Sequence, residues 1–79
     1  MNTLRLKTLT ENLKKGRREY FDEFYGLTKT SVYFTARSFS ADEFFIEDVM
    51  QEAYYSFLNN LYKVEGNPLP YLIEITKNK

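Results

Sequence analysis

Residues 40–61, Ser-Ala-Asp-Glu-Phe-Phe-Ile-Glu-Asp-Val-Met-Gln-Glu-Ala-Tyr-Tyr-Ser-Phe-Leu-Asn-Asn-Leu, decide the fold. Ile46, Val49, Met50, Ala53, Phe57 and Leu61 recur at steps of three and four, the spacing that aligns side chains on one face of an α-helix. Tyr54 and Leu58 widen this stripe, while Glu47, Asp48, Gln51, Glu52, Ser56, Asn59 and Asn60 occupy the other side. A helix apolar on one side and polar on the other has to lay its apolar side on a neighbour. Ser40-Ala41-Asp42-Glu43 has the form of a capping box, which predicts the start of this helix there.

The same period extends in both directions. Phe21, Phe24, Tyr25, Thr28, Val32, Ala36 and Phe39 predict a helix from about Arg17 to about Phe39, despite the roughly 1 kcal/mol that Gly26 costs relative to Ala. Before it, Thr8-Leu9-Thr10-Glu11 fits a capping box, Leu9 and Leu13 share a face, and Gly16 is a natural stop. After residue 61, Gly66-Asn67-Pro68 breaks the chain. Asn67 is placed to cap a last helix carrying Leu69, Leu72, Ile73 and Ile75, with Pro68 at its first position. No period-two pattern occurs. The expectation is an all-α chain, a small bundle of about four helices forming one domain over residues 1–79. The last helix meets no stop signal before Lys79, and this predicts that residues 1–79 are the N-terminal fragment of a longer protein.

Composition narrows the chemistry. The 79 residues are 43% hydrophobic and 18% aromatic, with seven Tyr and seven Phe, enough bulk for one modest core. There is no Cys, which removes disulfides, thiolate metal sites and Cys nucleophiles, and no His, the commonest general base and metal ligand. Gly16, Gly26 and Gly66 lie too far apart for a phosphate loop. Ser31, Ser38, Ser40 and Ser56 have no His to activate them. Adjacent carboxylates such as Asp22 with Glu23 diverge by about 100° on a helix. Binding rather than catalysis is therefore expected, with no cofactor and no metal. No apolar run reaches the length of a membrane span or a signal segment, so a cytoplasmic location is expected.

Net charge is zero but unevenly spread: residues 1–20 carry Arg5, Lys7, Lys14, Lys15, Arg17 and Arg18 against Glu11 and Glu19. Residues 40–62 carry Asp42, Glu43, Glu47, Asp48 and Glu52 with no Lys or Arg. Such a stretch is either a solvated helix face or a surface that meets a basic partner.

Ile46-Glu47-Asp48-Val49-Met50-Gln51-Glu52-Ala53-Tyr54 resembles the Ala-Glu-Asp-x-x-Gln-Glu-x-Phe signature of extracytoplasmic-function sigma factors. Upstream, Gly16 followed by Tyr20-Phe21-Asp22-Glu23-Phe24-Tyr25 is similar to the opening of that family's region two, and Val32, Tyr33 and Ala36 match its next landmarks. Downstream, residues 70–79, Pro-Tyr-Leu-Ile-Glu-Ile-Thr-Lys-Asn-Lys, resemble its Trp-Leu-Tyr-x-Ile-Ala-x-Asn segment. The likeness runs over about residues 9–79. Tyr71 stands where the family usually has Trp, Arg17 where it has a capping Asp and Ile46 where it has Ala; the match stops just as the family's promoter-reading helix becomes basic, and region four is not matched.

What the resemblance implies is a core-binding module of transcription initiation. Its third helix would dock on the basic clamp helices of the largest subunit of RNA polymerase core, through Asp48, Gln51 and Glu52 with Glu47 beside them. Promoter DNA would be met on the non-template strand, where the family flips a minus-ten base into a pocket beside the loop before the last helix. By position Lys63, Asn67, Tyr71 and Asn78 are the candidates, with Glu65 and Gly66 in the same loop; Asn78 matches the family's motif Asn, whose amide both donates to and accepts from a base edge. An anti-sigma factor is a possible further partner. The alternative is a stand-alone helical interaction domain or regulator that keeps the core-binding surface without promoter activity.

Overall fold

The structure, a computed structural model, describes residues 2–79. Four α-helices follow one another: α1 (Thr3–Lys14), α2 (Phe21–Arg37), α3 (Glu43–Asn59) and α4 (Leu69–Lys77). Single 3₁₀ turns at Arg18–Tyr20 and Leu61–Lys63 lie in the connections. Among the described residues there is no strand, and the helices form a small bundle, as the three-four periodicity requires. The α4 helix packs on both α2 and α3, those two pack on each other, and α1 lies on α2.

The core draws on every helix. Leu6, Leu9 and Leu13 of α1 meet Phe24 and Val32 of α2, Tyr54 and Phe57 of α3, Val64, and Leu72 of α4. At its centre the rings of Phe24 and Phe57 stack 5.0 Å apart at 14°. A second cluster of Ala36, Ile46 and Val49 joins the end of α2 to the start of α3, and Met50 packs against both clusters.

Three threonines are buried in this apolar setting without a desolvation problem. The hydroxyls of Thr10, Thr28 and Thr76 each donate to the carbonyl one turn back, on Leu6, Phe24 and Leu72, at 2.8, 2.9 and 2.8 Å. The Thr28 hydroxyl also lies 2.7 Å from that of Tyr54 and shares a hydrogen bond with it, a buried polar tie between α2 and α3.

Burial pushes the Tyr54 phenol up to about 12; Tyr25 nearby adds to the effect and the Thr28 hydroxyl opposes it. A phenol that ionises at a higher pH in the folded chain than in the unfolded one stabilises the fold fully below pH 10, and that contribution is lost as pH rises through the window to about 12. Wild-type unfolding free energy is therefore expected to fall across this window by about 2 kcal/mol more than that of Tyr54→Phe. At pH 7 the substitution costs only about 1 kcal/mol, since Thr28 keeps its carbonyl partner. Urea melts of both proteins at pH 7, 10 and 12 measure the difference, and parallel pH profiles would contradict this account.

Four helix ends lie elsewhere than the local signals place them, among them the start of α2, which follows the 3₁₀ turn at Phe21 rather than beginning near Arg17. The first helix starts five residues earlier than Thr8: the Asn2 side chain caps it by accepting from the Arg5 N–H at 3.0 Å, while the Thr8 hydroxyl donates back to Leu4 in mid-helix. The earlier start lets Leu6 enter the core. Gly16, at φ +80, ends α1 as expected: its N–H bonds to Leu13 O and that of Arg17 to Asn12 O, the double closure of a Schellman turn. The second helix ends at Arg37, so Phe39 lies beyond it and is exposed rather than in the stripe. For α3 the cap is Asp42 and not Ser40; its carboxylate accepts from the N–H groups of Phe44 and Phe45, and Ser40 instead accepts from the Asp42 N–H.

One ion pair ties α1 to α2. The Arg5 guanidinium grips both oxygens of Glu23 at 2.6 and 2.5 Å, which holds that carboxyl below its usual range. Both side chains are over 40% exposed, so the pair fixes orientation more than it adds stability.

Candidate protein-binding face

The face in question is built by α3. Its buried side, Ile46, Val49, Ala53, Tyr54 and Phe57, is committed to the core, so the helix cannot rotate. At about 100° per residue this fixes where every other side chain points. Glu47, Asp48, Gln51 and Glu52 all lie on the outward side and all are exposed. The three carboxylates of this set make no ion pair, and none of the four side chains makes a hydrogen bond, among the described residues. Their neighbours at the helix start are occupied: Asp42 caps, and Glu43 accepts from the Tyr33 hydroxyl at 3.1 Å. The outward acids are thus unneutralised charge on a rigid element.

The same face holds two side chains that sequence reasoning missed. Phe44 is 83% exposed and Tyr55 71% exposed. Phe44, Asp48, Gln51 and Tyr55 follow one another at intervals of four, three and four residues, a second three-four stripe directed away from the core. The spacing was available in the sequence. Only the burial of the opposite stripe shows that its two rings are left in solvent.

The promoter-contact candidates are more scattered. Lys63 is exposed, its ammonium 5.7 Å from the centre of the Tyr62 ring. The Asn67 carbonyl accepts from the Leu69 N–H at 3.0 Å and so caps α4, with Pro68 in helical conformation behind it, as the chain break suggests. Tyr71 is half-buried, its ring 6.2 Å from that of Phe57. Asn78 is exposed but lies past the far end of α4, about 16 Å along the axis from Asn67. Lys63 and Asn67 share the loop before α4, Tyr71 lies in the first turn of that helix and Asn78 beyond its last. Lys14 of α1 donates to the Val64 carbonyl and ties this loop down, and Gly66 turns it at φ +68. Between α1 and the loop lies a hollow of about 320 Å³, lined by Lys7, Glu11, Lys14, Glu65 and Gly66, whose charges are mixed.

An open groove of about 360 Å³ runs between α2 and α3, lined by Tyr25, Lys29, Thr30, Tyr33, Phe34 and Met50. It contains one cation and no carboxylate. Among the described residues no three His, Cys, Asp or Glu side chains converge as a metal site, and no helix is long and apolar enough to cross a membrane. No family model, curated protein or solved structure matches the chain.

Proposed function

We propose that this chain works by binding, as a sigma-type module of transcription initiation that docks on RNA polymerase core in the cytoplasm. The partner surface is the basic pair of clamp helices of the largest subunit. Glu47, Asp48, Gln51 and Glu52 of α3 meet it, and Lys63, Asn67, Tyr71 and Asn78 contribute to recognising and melting the minus-ten element. The observation that carries the reading is the outward set of three unpaired carboxylates on a helix whose other side is locked into the core. Complementary charge on such a face accelerates encounter and sets register. The resemblance of residues 46–54 to the sigma signature supplies the partner's identity.

A second reading has its own support: a regulator that occupies the core-binding surface without directing transcription. Asn67 already spends its side-chain carbonyl on a helix cap, Tyr71 packs on Phe57, and Asn78 stands at the other end of α4. Those positions leave little free to read a flipped base. Two measurements separate the possibilities. Immobilised chain should retain polymerase core at low salt and release it as ionic strength rises; no retention at any salt rejects both readings. Run-off transcription with the complete gene product then decides between them, since a regulator binds core and yields no transcript.

A further inference from the structure

The outward stripe of α3 has the form of a coiled-coil seam. Spacing of four, three and four residues is that of alternating d and a positions, so Phe44, Asp48, Gln51 and Tyr55 read as one continuous seam, with Glu47 and Glu52 at the flanking g and e positions. On a straight helix Phe44 and Tyr55 lie within about 20° of one another around the axis and about 16 Å apart along it. Both rings are outside the core, at 83% and 71% exposure, and neither makes an aromatic contact with another ring. A helix whose apolar seam is satisfied inward has no folding reason to carry a second, aromatic-ended seam outward.

We infer that Phe44 and Tyr55 are the two anchors by which α3 holds a basic helical rod, laid lengthwise along it, while the acids between and beside them bring the rod in and fix its register. This rests on the binding reading above and goes further, assigning the energy of the contact to side chains outside the acidic signature. The occupant is fixed by charge and shape together. Residues 40–62 contain five acids and no base, so the rod is basic where it passes Glu47, Asp48 and Glu52. Two copies of this chain would set these acids against one another, which disfavours self-pairing across the face. Seam spacing selects a helix running nearly parallel to α3 rather than an irregular loop. Aromatic side chains sunk into apolar sockets of a partner are the usual carriers of affinity, whereas solvent-exposed charges act mainly on the approach.

The test is the kinetics of binding to purified polymerase core, for the wild-type chain, Phe44→Ala/Tyr55→Ala, and Phe39→Ala. Phe39 serves as control because it is 60% exposed yet lies off the seam, beyond α2. None of the three rings supports the core, so circular dichroism and melting temperature should be unchanged. The double variant is expected to dissociate about 30-fold faster, with an association rate within about twofold of wild type at every salt concentration. Phe39→Ala should match wild type. If wild type binds and the double variant leaves no faster, the anchors are refuted while the binding reading stands. An equal effect from Phe39→Ala refutes the seam in favour of general stickiness. Failure of wild-type chain to bind core at low salt overturns both.

Discussion

Phe57→Ala is expected to lose about 3–5 kcal/mol of unfolding free energy, the largest single-residue effect in the molecule. Phe57 is fully buried, stacks on Phe24 at 5.0 Å, and also meets Tyr71 of α4. It therefore sits where α2, α3 and α4 converge. Truncation removes the ring's transfer free energy and leaves a cavity that rigid helices cannot close. A domain this short buries only about 60% of its unfolded surface and stands near the low end of the usual 5–15 kcal/mol. The loss takes most of that margin, so the variant should be largely unfolded at 37 °C, as judged by urea titration and near-ultraviolet circular dichroism. Phe57→Leu, which keeps most of the volume, should lose less than half as much. A wild-type midpoint for the alanine variant would mean that the stacked pair is not the centre of the core.

Asp48→Lys/Glu52→Lys should weaken binding to polymerase core about 100-fold at low salt, equivalent to about 2.7 kcal/mol. Reversal removes two attractions and installs two repulsions, so it exceeds what neutralisation to Asn and Gln would do. Most of the change should appear in the association rate. It should shrink to severalfold near 0.5 M salt, where the screening length falls to about 4 Å. Folding is not a confounding factor: both side chains are exposed and unpartnered in mid-helix, and lysine is a better helix former than aspartate. The expected signature is a reversal variant that melts like wild type, binds slowly, and is rescued by salt relative to it. An affinity independent of these charges would remove the electrostatic half of the proposed interface. Together with the aromatic double variant, the experiment separates approach from grip.

The local rules read α3 almost whole, because its apolar stripe, its polar side and its break all lie within one stretch of chain. Its cap lies two residues beyond Ser40, for a simple reason: Ser40 and Asp42 are both good capping residues. For the first helix the local signals decide less. Thr8 and Asn2 are equally acceptable starts on chemistry alone, and what favours Asn2 is the burial of Leu6 against residues distant in sequence. Steps of three and four carry the α2 stripe on to Phe39, although the helix ends at Arg37.

The amino-acid sequence by itself determined four helices, most of the inward stripes of α2 and α3 (Tyr25, Phe39 and Leu61 excepted), and the outward direction of Glu47, Asp48, Gln51 and Glu52. These follow from a period of 3.6 residues and need no knowledge of neighbours. Tertiary structure alone decided where α1 begins, that Tyr54 and Thr28 are paired in the core, and that Phe44 and Tyr55 are left in solvent. Each of these depends on which of two chemically similar side chains finds room inside. Room inside a core is set by the other helices, through packing that no short window of sequence contains.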